Sequence, residues 1–253
     1  MTLVVLHEAP GTSVSTTSSL ALAALAPQGQ QTLVLECDAS GGDLIGWADL
    51  TGNPSWSSAV SGADRSWAGM LRHLQRLPSG LHVMAAPTNA SRARTVVAEA
   101  AERFAPMVSS LSDVVAFADC GRTTESNGWL RSADLVVVLL RQSASVGATV
   151  ARVDRTTEIV ASLGSSRSGL VVVGERPYPP TDIAAAIGCD LFGVLADDPA
   201  GAALASGAWT VGRGAMRTAL ARSAAALSPD LIDRAVHQRA GRHLVGSDLE
   251  MPA

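Results

Sequence analysis

The sequence predicts an α/β fold, with a doubly wound, mostly parallel sheet of seven strands and helices on both faces. Three observations predict it: short β-branched runs alternate with longer Ala/Leu-rich segments, several runs are apolar throughout, and neither a long linker nor an internal repeat divides the chain. Such alternation is typical of βα units, and a parallel strand covered on both faces is apolar along its length. We expect one domain over residues 1–242 and a flexible tail at 243–253.

The predicted elements follow in order along the chain. Strands are predicted at 2–7, 32–37, 81–86, 114–119, 134–140, 169–173 and 191–195. Helices are predicted at 15–25, 92–104, 144–163, 180–187, 199–206, 215–227 and 229–240. The Gly/Ser/Trp-rich stretch 52–67 is expected to form an excursion at the surface, with its tryptophans packing the loop onto the body or forming a partner surface. In this fold class, ligands bind beyond the carboxyl ends of the strands.

Composition and charge exclude several classes of protein. A net charge of −4 provides no overall attraction to nucleic acid or to an anionic membrane. Cys37, Cys120 and Cys189 are far apart in apolar runs, which favours buried thiols in a reducing compartment over disulfides or a metal site. The N-terminus lacks the features of a signal peptide and no apolar stretch reaches spanning length. We therefore expect a cytoplasmic protein without a direct membrane anchor.

The first strand runs into a loop of small and hydroxyl-bearing residues. Its sequence is Ala9-Pro10-Gly11-Thr12-Ser13-Val14-Ser15-Thr16-Thr17. Backbone N–H groups of such a loop, together with a helix N-terminus, can cradle a phosphate, and a hydroxyl can reach Mg²⁺. The alternative is an ordinary βα turn whose hydroxyl groups cap the helix.

Acidic residues follow two later strands. The second strand ends at Glu36-Cys37-Asp38, ahead of a Gly-Gly pair, and a later strand ends at Asp119, ahead of Gly121. Taken with the loop, this ordered set resembles the ParA/MinD family of deviant Walker-A P-loop ATPases, in the SIMIBI class. The family's loop reads KGGxGKTT, its second strand ends D-x-D, and its third strand ends D-x-P/G. The resemblance extends over nearly the whole chain.

The resemblance implies ATP or ADP bound with Mg²⁺, a homodimer, and protein partners. It assigns the nucleotide to Gly11, Thr12, Ser13, Val14, Ser15, Thr16 and Thr17 in the loop, and to Arg176 and Asp197 on the base side. It assigns the metal ion to Thr16, Asp38 and Asp119, and it makes Asp38 the catalytic residue that orients the attacking water.

The loop departs from the family where positive charge is needed. Pro10 stands at the signature lysine, Ser15 at the P-loop lysine, and Thr12 at the second glycine. Loss of the P-loop lysine should cost roughly 3–4 kcal/mol, on the scale of a lost oxyanion-hole contact. All 19 basic residues are arginine, so no other lysine can replace it. Arg122 and Arg213 are the candidate substitutes.

Three functions stay open at this point. The first is a non-hydrolysing or weakly nucleotide-binding scaffold or localisation factor for a bacterial cell-division, pilus or secretion machine. The second is an active ATPase in which an arginine or a partner residue replaces the lysine. The third is a nucleoid-binding partition factor that contacts DNA through Arg213, Arg217 and Arg222, although a solvated helix face is the favoured explanation of those arginines.

Overall fold

A computed structural model describes residues 2–110, 113–122, 128–163, 167–203, 205 and 217–247. Over these residues, its sheet has eight strands in the order β3-β4-β2-β5-β1-β6-β7-β8. These are β1 (Thr2–Glu8), β2 (Gln31–Glu36), β3 (Gln75–Arg76), β4 (His82–Met84), β5 (Val114–Asp119), β6 (Leu135–Arg141), β7 (Ser168–Val173) and β8 (Leu191–Leu195). The described helices are α1 (Ser15–Ala24), α2 (Leu44–Trp47), α3 (Trp56–Ser61), α4 (Trp67–Leu71), α5 (Ala90–Ser110), α6 (Gly128–Ser132), α7 (Val146–Leu163), α8 (Pro180–Ile187), α9 (Pro199–Ala203) and α10 (Ala219–Ser247).

The predicted α/β class is confirmed, with eight strands in place of seven. All neighbouring strands are parallel except β3, which pairs antiparallel with β4 at the edge of the sheet. This strand is two residues long and contains no β-branched or aromatic side chain, so it carries no local strand signal.

The two faces of the sheet are covered by different helices. Successive strand residues point to opposite faces. Val4 and Leu6 of β1 therefore pack in one cluster with α1 and α10. Leu3 and Val5 pack in a second cluster with α3, α5 and α6. A third cluster joins β6 and β7 to α7 and α8 on the same side as the second. None of the described helices is long and apolar enough to cross a membrane.

One prediction about local structure is confirmed in part, and another is wrong. In the stretch 52–67, residues 52–53 and 63–66 are exposed as expected, whereas Trp56 at the start of α3 is fully buried and packs the stretch onto the body, with its ring 5.7 Å from that of Phe104 and 5.5 Å from that of Trp129. The last two predicted helices form the single helix α10, which continues through Pro229 to Ser247. The helix continues there because buried apolar side chains lie on both sides of the proline, and their packing offsets the missing hydrogen bond.

Candidate functional site

The strand order β2-β5-β1 places the loop and the two strand-end acids at one edge of the sheet. Parallel pairing aligns Leu6 of β1 with Asp119 of β5, and Asp119 with Glu36 of β2. The carboxyl ends of these three strands therefore meet. The loop follows β1, passes through Gly11 at φ +81°, and enters α1 at Ser15.

Glu8, the last residue of β1, fills the loop with its own side chain. It has the same strand parity as Val4 and Leu6, so it points toward α1. Its Oε1 accepts hydrogen bonds from the backbone N–H groups of Val14 and Ser15, both at 2.5 Å, and the residue is 5% exposed. In a phosphate loop, N–H groups of this kind face the bound anion. The carboxylate of Glu8 thus stands where a phosphate oxygen would be held.

Burial raises the pKa of Glu8 above its ordinary value, and this effect outweighs the N–H groups of Ser15 and Val14 and the nearby charge of Arg122, which lower the pKa. Sequence reasoning missed this residue. The available signal was an acid directly before a loop rich in N–H donors.

Thr16 and Asp119, both assigned to the metal ion, are bonded to each other. Thr16 Oγ1 donates to Asp119 Oδ2 at 2.6 Å, and Gly121 N donates to Asp119 Oδ1 at 3.1 Å. Burial raises the pKa of Asp119 to about 6, against the hydrogen bonds from Ser15 and Thr16, which lower it. Both carboxylate oxygens are therefore satisfied by the protein itself.

Asp38 lies at the same edge and is half-buried. Its Oδ1 accepts bonds from the backbone N–H and the hydroxyl of Ser40, at 2.7 Å and 2.6 Å. Its carboxylate packs on Gly121, where an added Cβ would lie 1.9 Å from Asp38 Oδ2. His7 lies nearby, and burial lowers its pKa to about 4 although the charge of Asp38 raises it, so this imidazole is neutral near pH 7. It adds no positive charge to the acids.

The first acid of the strand-end pair, Glu36, has a structural role. Its Oε1 accepts N–H bonds from Asp43 at 2.5 Å and Leu44 at 2.8 Å, and its Oε2 accepts one from Ala86 at 2.7 Å. Burial raises the pKa of Glu36 to about 7. The carboxyl group therefore ties the start of α2 and the segment after β4 to the end of β2.

Two cavities adjoin the loop. The first has a volume of about 40 Å³ and is lined by Glu8, Ser13, Val14, Ser15, Thr16, Thr17, Asp38, Asp43, Trp47 and Arg122. The second measures about 270 Å³ and shares Ser13, Val14, Thr17 and Trp47 with the first. Ligand pockets usually measure roughly 300–1,000 Å³, so the first cavity is too small for a nucleotide's phosphates. The structure thus brings the loop and Asp38 together but leaves little space between them.

The two residues predicted to lie beside the nucleotide base, Arg176 and Asp197, do not line the same cavity. Asp197 lines the larger cavity and forms a two-point ion pair with Arg141, at 2.9 Å and 3.0 Å. Arg176 is exposed after β7, and it is not among the residues lining either cavity. Thr12 lies behind the loop, where its Oγ1 accepts a bond from Arg141 N at 3.4 Å.

Arginines other than those expected also surround the loop. Arg122 lines the smaller cavity as predicted, whereas Arg213 lies outside the described residues. On α7, Arg152 Nε and Arg155 Nη1 lie 3.5 Å and 4.0 Å from the position of a Cβ built on Gly11. Sequence reasoning missed this pair, since their proximity to the loop depends on how α7 packs over β6 and β7. Of the arginines considered for DNA contact, Arg217 and Arg222 are exposed near the start of α10.

As arranged here, the residues do not fit a nucleotide phosphate with Mg²⁺. The loop N–H groups of Val14 and Ser15 are bonded to Glu8, and the hydroxyl of Thr16 is bonded to Asp119. Within the part of the chain that the structure describes, no three His, Cys, Asp or Glu side chains are grouped to hold a metal ion.

Comparison with known proteins supports the fold. No protein-family model and no curated protein matches the sequence. Solved structures do match. The ParA family ATPase from Chlorobium tepidum TLS superposes with a TM-score of 0.66 at 14% identity, over 93% of this chain and 99% of that one.

Two cell-division proteins match similarly. The MinC:MinD cell division protein complex from Aquifex aeolicus contains a chain that matches with a TM-score of 0.65 at 14% identity, covering 100% of this chain and 98% of that one. The septum site-determining protein MinD complexed with Mg-ADP, from Pyrococcus horikoshii OT3, matches with a TM-score of 0.63 at 14% identity, over 90% and 94% of the two chains. At these identities the likeness establishes the fold, and the resemblance predicted from the sequence is confirmed at that level: this chain has the P-loop fold of the ParA and MinD ATPases.

Proposed function

We propose that this protein is a ParA/MinD-like scaffold or localisation factor that binds nucleotide weakly or not at all and does not hydrolyse ATP at the rate of ordinary P-loop enzymes. The observation that carries the proposal is the carboxylate of Glu8 on the N–H groups of Val14 and Ser15. A phosphate entering the loop would have to displace a group of the same charge from the same donors.

Two energetic terms oppose nucleotide binding. Displacing Glu8 breaks two hydrogen bonds to a charged group, each worth roughly 1.5–3 kcal/mol. The missing lysine removes roughly another 3–4 kcal/mol of stabilisation from the bound phosphates and the transition state. Asp38 and Asp119 add negative charge at the same edge. Each of these terms lowers the affinity for nucleotide, although the freed N–H groups of Val14 and Ser15 would bond to the entering phosphate in turn.

The same comparison supports a role with protein partners. The Aquifex aeolicus structure is a complex of MinD with MinC, and the Pyrococcus horikoshii MinD carries Mg-ADP. We propose that this chain retains the assembly role, as a homodimer that engages other proteins of a cell-division, pilus or secretion machine, while nucleotide control is weakened or lost.

The decisive experiment measures thermal stability with Mg·ATP, Mg·ADP and inorganic phosphate. A ligand at about 100 times its Kd raises stability by roughly 2.7 kcal/mol, which is a shift of several degrees. We expect no shift for the native chain or for Glu8→Gln, which keeps Oε1 as an acceptor. Glu8→Ala empties the loop, so it should gain stabilisation by inorganic phosphate. The exposed Glu158→Ala on α7 is the matched control.

An active ATPase is the second candidate, and Arg122 favours it because this side chain lines the cavity at the loop. If it were correct, the native chain would be stabilised by Mg·ATP and would hydrolyse it. Asp38→Ala and Arg122→Ala would each abolish that hydrolysis. This pattern would overturn the proposal of a non-hydrolysing scaffold.

A further inference from the structure

A second cavity of interest lies at the opposite end of the sheet from the loop. It measures about 560 Å³ and is bordered by the amino-terminal ends of β2, β4 and β5 together with α4. Because the three strands are parallel, this edge is separated from the loop by the length of the strands. We call it the Trp67 cavity, after the half-buried indole on α4 that lines it. Its volume is within the range of about 300–1,000 Å³ found for binding pockets.

The walls of the Trp67 cavity are apolar on the side of α4 and polar on the side of Gln30, Gln31 and Thr32. Leu33 is buried behind it, and Trp67 and Leu74 are partly buried along it. Leu71 lines the cavity while 42% exposed, and it is among the few large apolar side chains left exposed in the described part of the chain. An apolar recess with an exposed leucine at its mouth suits an apolar side chain from outside.

The segment that forms one side of this cavity is basic, although the chain as a whole is acidic. Residues 64–82 contain three arginines and two histidines against one aspartate, in a chain of net charge −4. The guanidinium of Arg76 lies against Gly80 of the cavity wall, 3.3 Å from the position of an added Cβ, and Arg76 pairs in register with His82. The one acid of this segment, Asp64, is paired with Arg72, and a second acid, Asp113, lies across the cavity beside Val114 and Gln30. Among the residues described, neither Arg65 nor Arg76 has an ion-pair partner.

We propose that the Trp67 cavity docks a short segment of a partner protein in which a leucine or phenylalanine is flanked by acidic residues. The apolar side chain enters between Trp67 and Leu71, and the acids face Arg76. Charge complementarity selects the occupant, because the guanidinium of Arg76 against the cavity wall attracts acidic segments and repels basic ones. This proposal does not depend on the state of the loop.

The test uses a random peptide library displayed on phage, panned against the native chain. We expect enriched peptides to carry an apolar residue between acids. Their binding should fall at least about tenfold on Leu71→Asp, and similarly on Arg76→Glu, as for loss of an anchor. The control is Val146→Asp, at an exposed valine on α7 that does not line the cavity. Circular dichroism and thermal unfolding confirm that each variant is folded, which is expected since Leu71, Arg76 and Val146 are exposed.

Three results would overturn the proposal. Enrichment of no peptide, or of peptides that bind Leu71→Asp as well as the native chain, would exclude the cavity as their site. Salt-dependent binding of single-stranded DNA that is lost on Arg76→Glu and kept on Leu71→Asp would reassign the surface to nucleic acid. A concentration-dependent dimer that dissociates on Leu71→Asp would assign it to a second copy of the chain.

Discussion

At the scale of single residues, the site is defined by acids that bond to the protein's own donors. Glu8 accepts hydrogen bonds from the loop N–H groups of Val14 and Ser15, and Asp119 accepts one from the hydroxyl of Thr16. Glu36 accepts hydrogen bonds from three backbone N–H groups. A nucleotide site needs such donors free to face the ligand. Acidic residues at strand ends suggest catalysis when only the sequence is considered. In this structure they hold three strand ends together.

Gly121 provides a test of this arrangement at the residue scale. It adopts φ +52°, and an added Cβ would lie 1.9 Å from Asp38 Oδ2. Gly29 adopts φ +86° with nothing within 4 Å of its Cβ position, so Gly29→Ala isolates the cost of the backbone conformation. We expect Gly29→Ala to cost about 1 kcal/mol of unfolding free energy and Gly121→Ala about 2–4 kcal/mol, measured by urea unfolding. Equal losses would show that Asp38 moves aside freely.

At the scale of elements, the packing of α3 anchors the exposed stretch 52–67 to the body. Trp56 packs against Phe104 of α5 and Trp129 of α6, and its Nε1 donates to Glu36 O at 2.9 Å. This bond links the helix to the end of β2, beside the carboxyl group that orders α2. The buried side chains of α3 are therefore part of the core, although much of the segment between β2 and β4 is exposed.

The contribution of Trp56 can be measured by truncation. Trp56→Ala leaves a large cavity and an unpaired carbonyl, so it should destabilise the fold by about 3–5 kcal/mol. Trp47→Ala is the matched control, because Trp47 is 44% exposed and should cost less than about 1 kcal/mol. Urea unfolding of both variants measures the two losses of unfolding free energy. A small loss for Trp56→Ala would mean that α3 is not held by this side chain.

At the scale of the whole molecule, several buried acids give stability a dependence on pH. Burial raises the pKa of Glu36 to about 7 and that of Asp119 to about 6, and it also raises the pKa of Glu8. A carboxyl group of this kind keeps its proton longer in the folded chain than in the unfolded chain. The folded state therefore binds more protons between the two pKa values, and stability falls as pH rises through that interval. His7, whose pKa is lowered to about 4, acts in the opposite direction between pH 6.5 and 4.

We expect the acids to outweigh the histidine, since three groups oppose one. The thermal midpoint should be higher near pH 5 than near pH 7.5, with Asp119 alone contributing about 1.4 kcal/mol of the difference. Asp119→Asn should make the profile less steep, whereas the exposed Asp154→Asn on α7 should leave it unchanged. A native profile that rises from pH 5 to pH 7.5 would show that these acids are ionised at little cost.

The alternation of apolar runs and Ala/Leu-rich segments determined the parallel sheet and the edge at which Asp38 and Asp119 meet the loop, whereas the order of the strands in the sheet was decided by the tertiary structure. It did so because strand periodicity and helix length are local properties of the chain. The absence of lysine is likewise a fact of composition. The predicted domain limit at 242 stays a prediction, since α10 continues to Ser247 and residues 248–253 lie outside the described part.

Only the tertiary structure decided what occupies the loop without lysines. The direction of Glu8 depends on strand parity and on the turn of the loop above it, and the approach of Arg152 and Arg155 depends on the packing of α7. The burial of Trp56 depends on contacts with residues far away in sequence. These features depend on contacts between side chains that are distant in sequence, and local sequence patterns do not specify such contacts. The sequence by itself thus determined that the loop lacks its charge, and the structure decided that an acid of the same chain fills it.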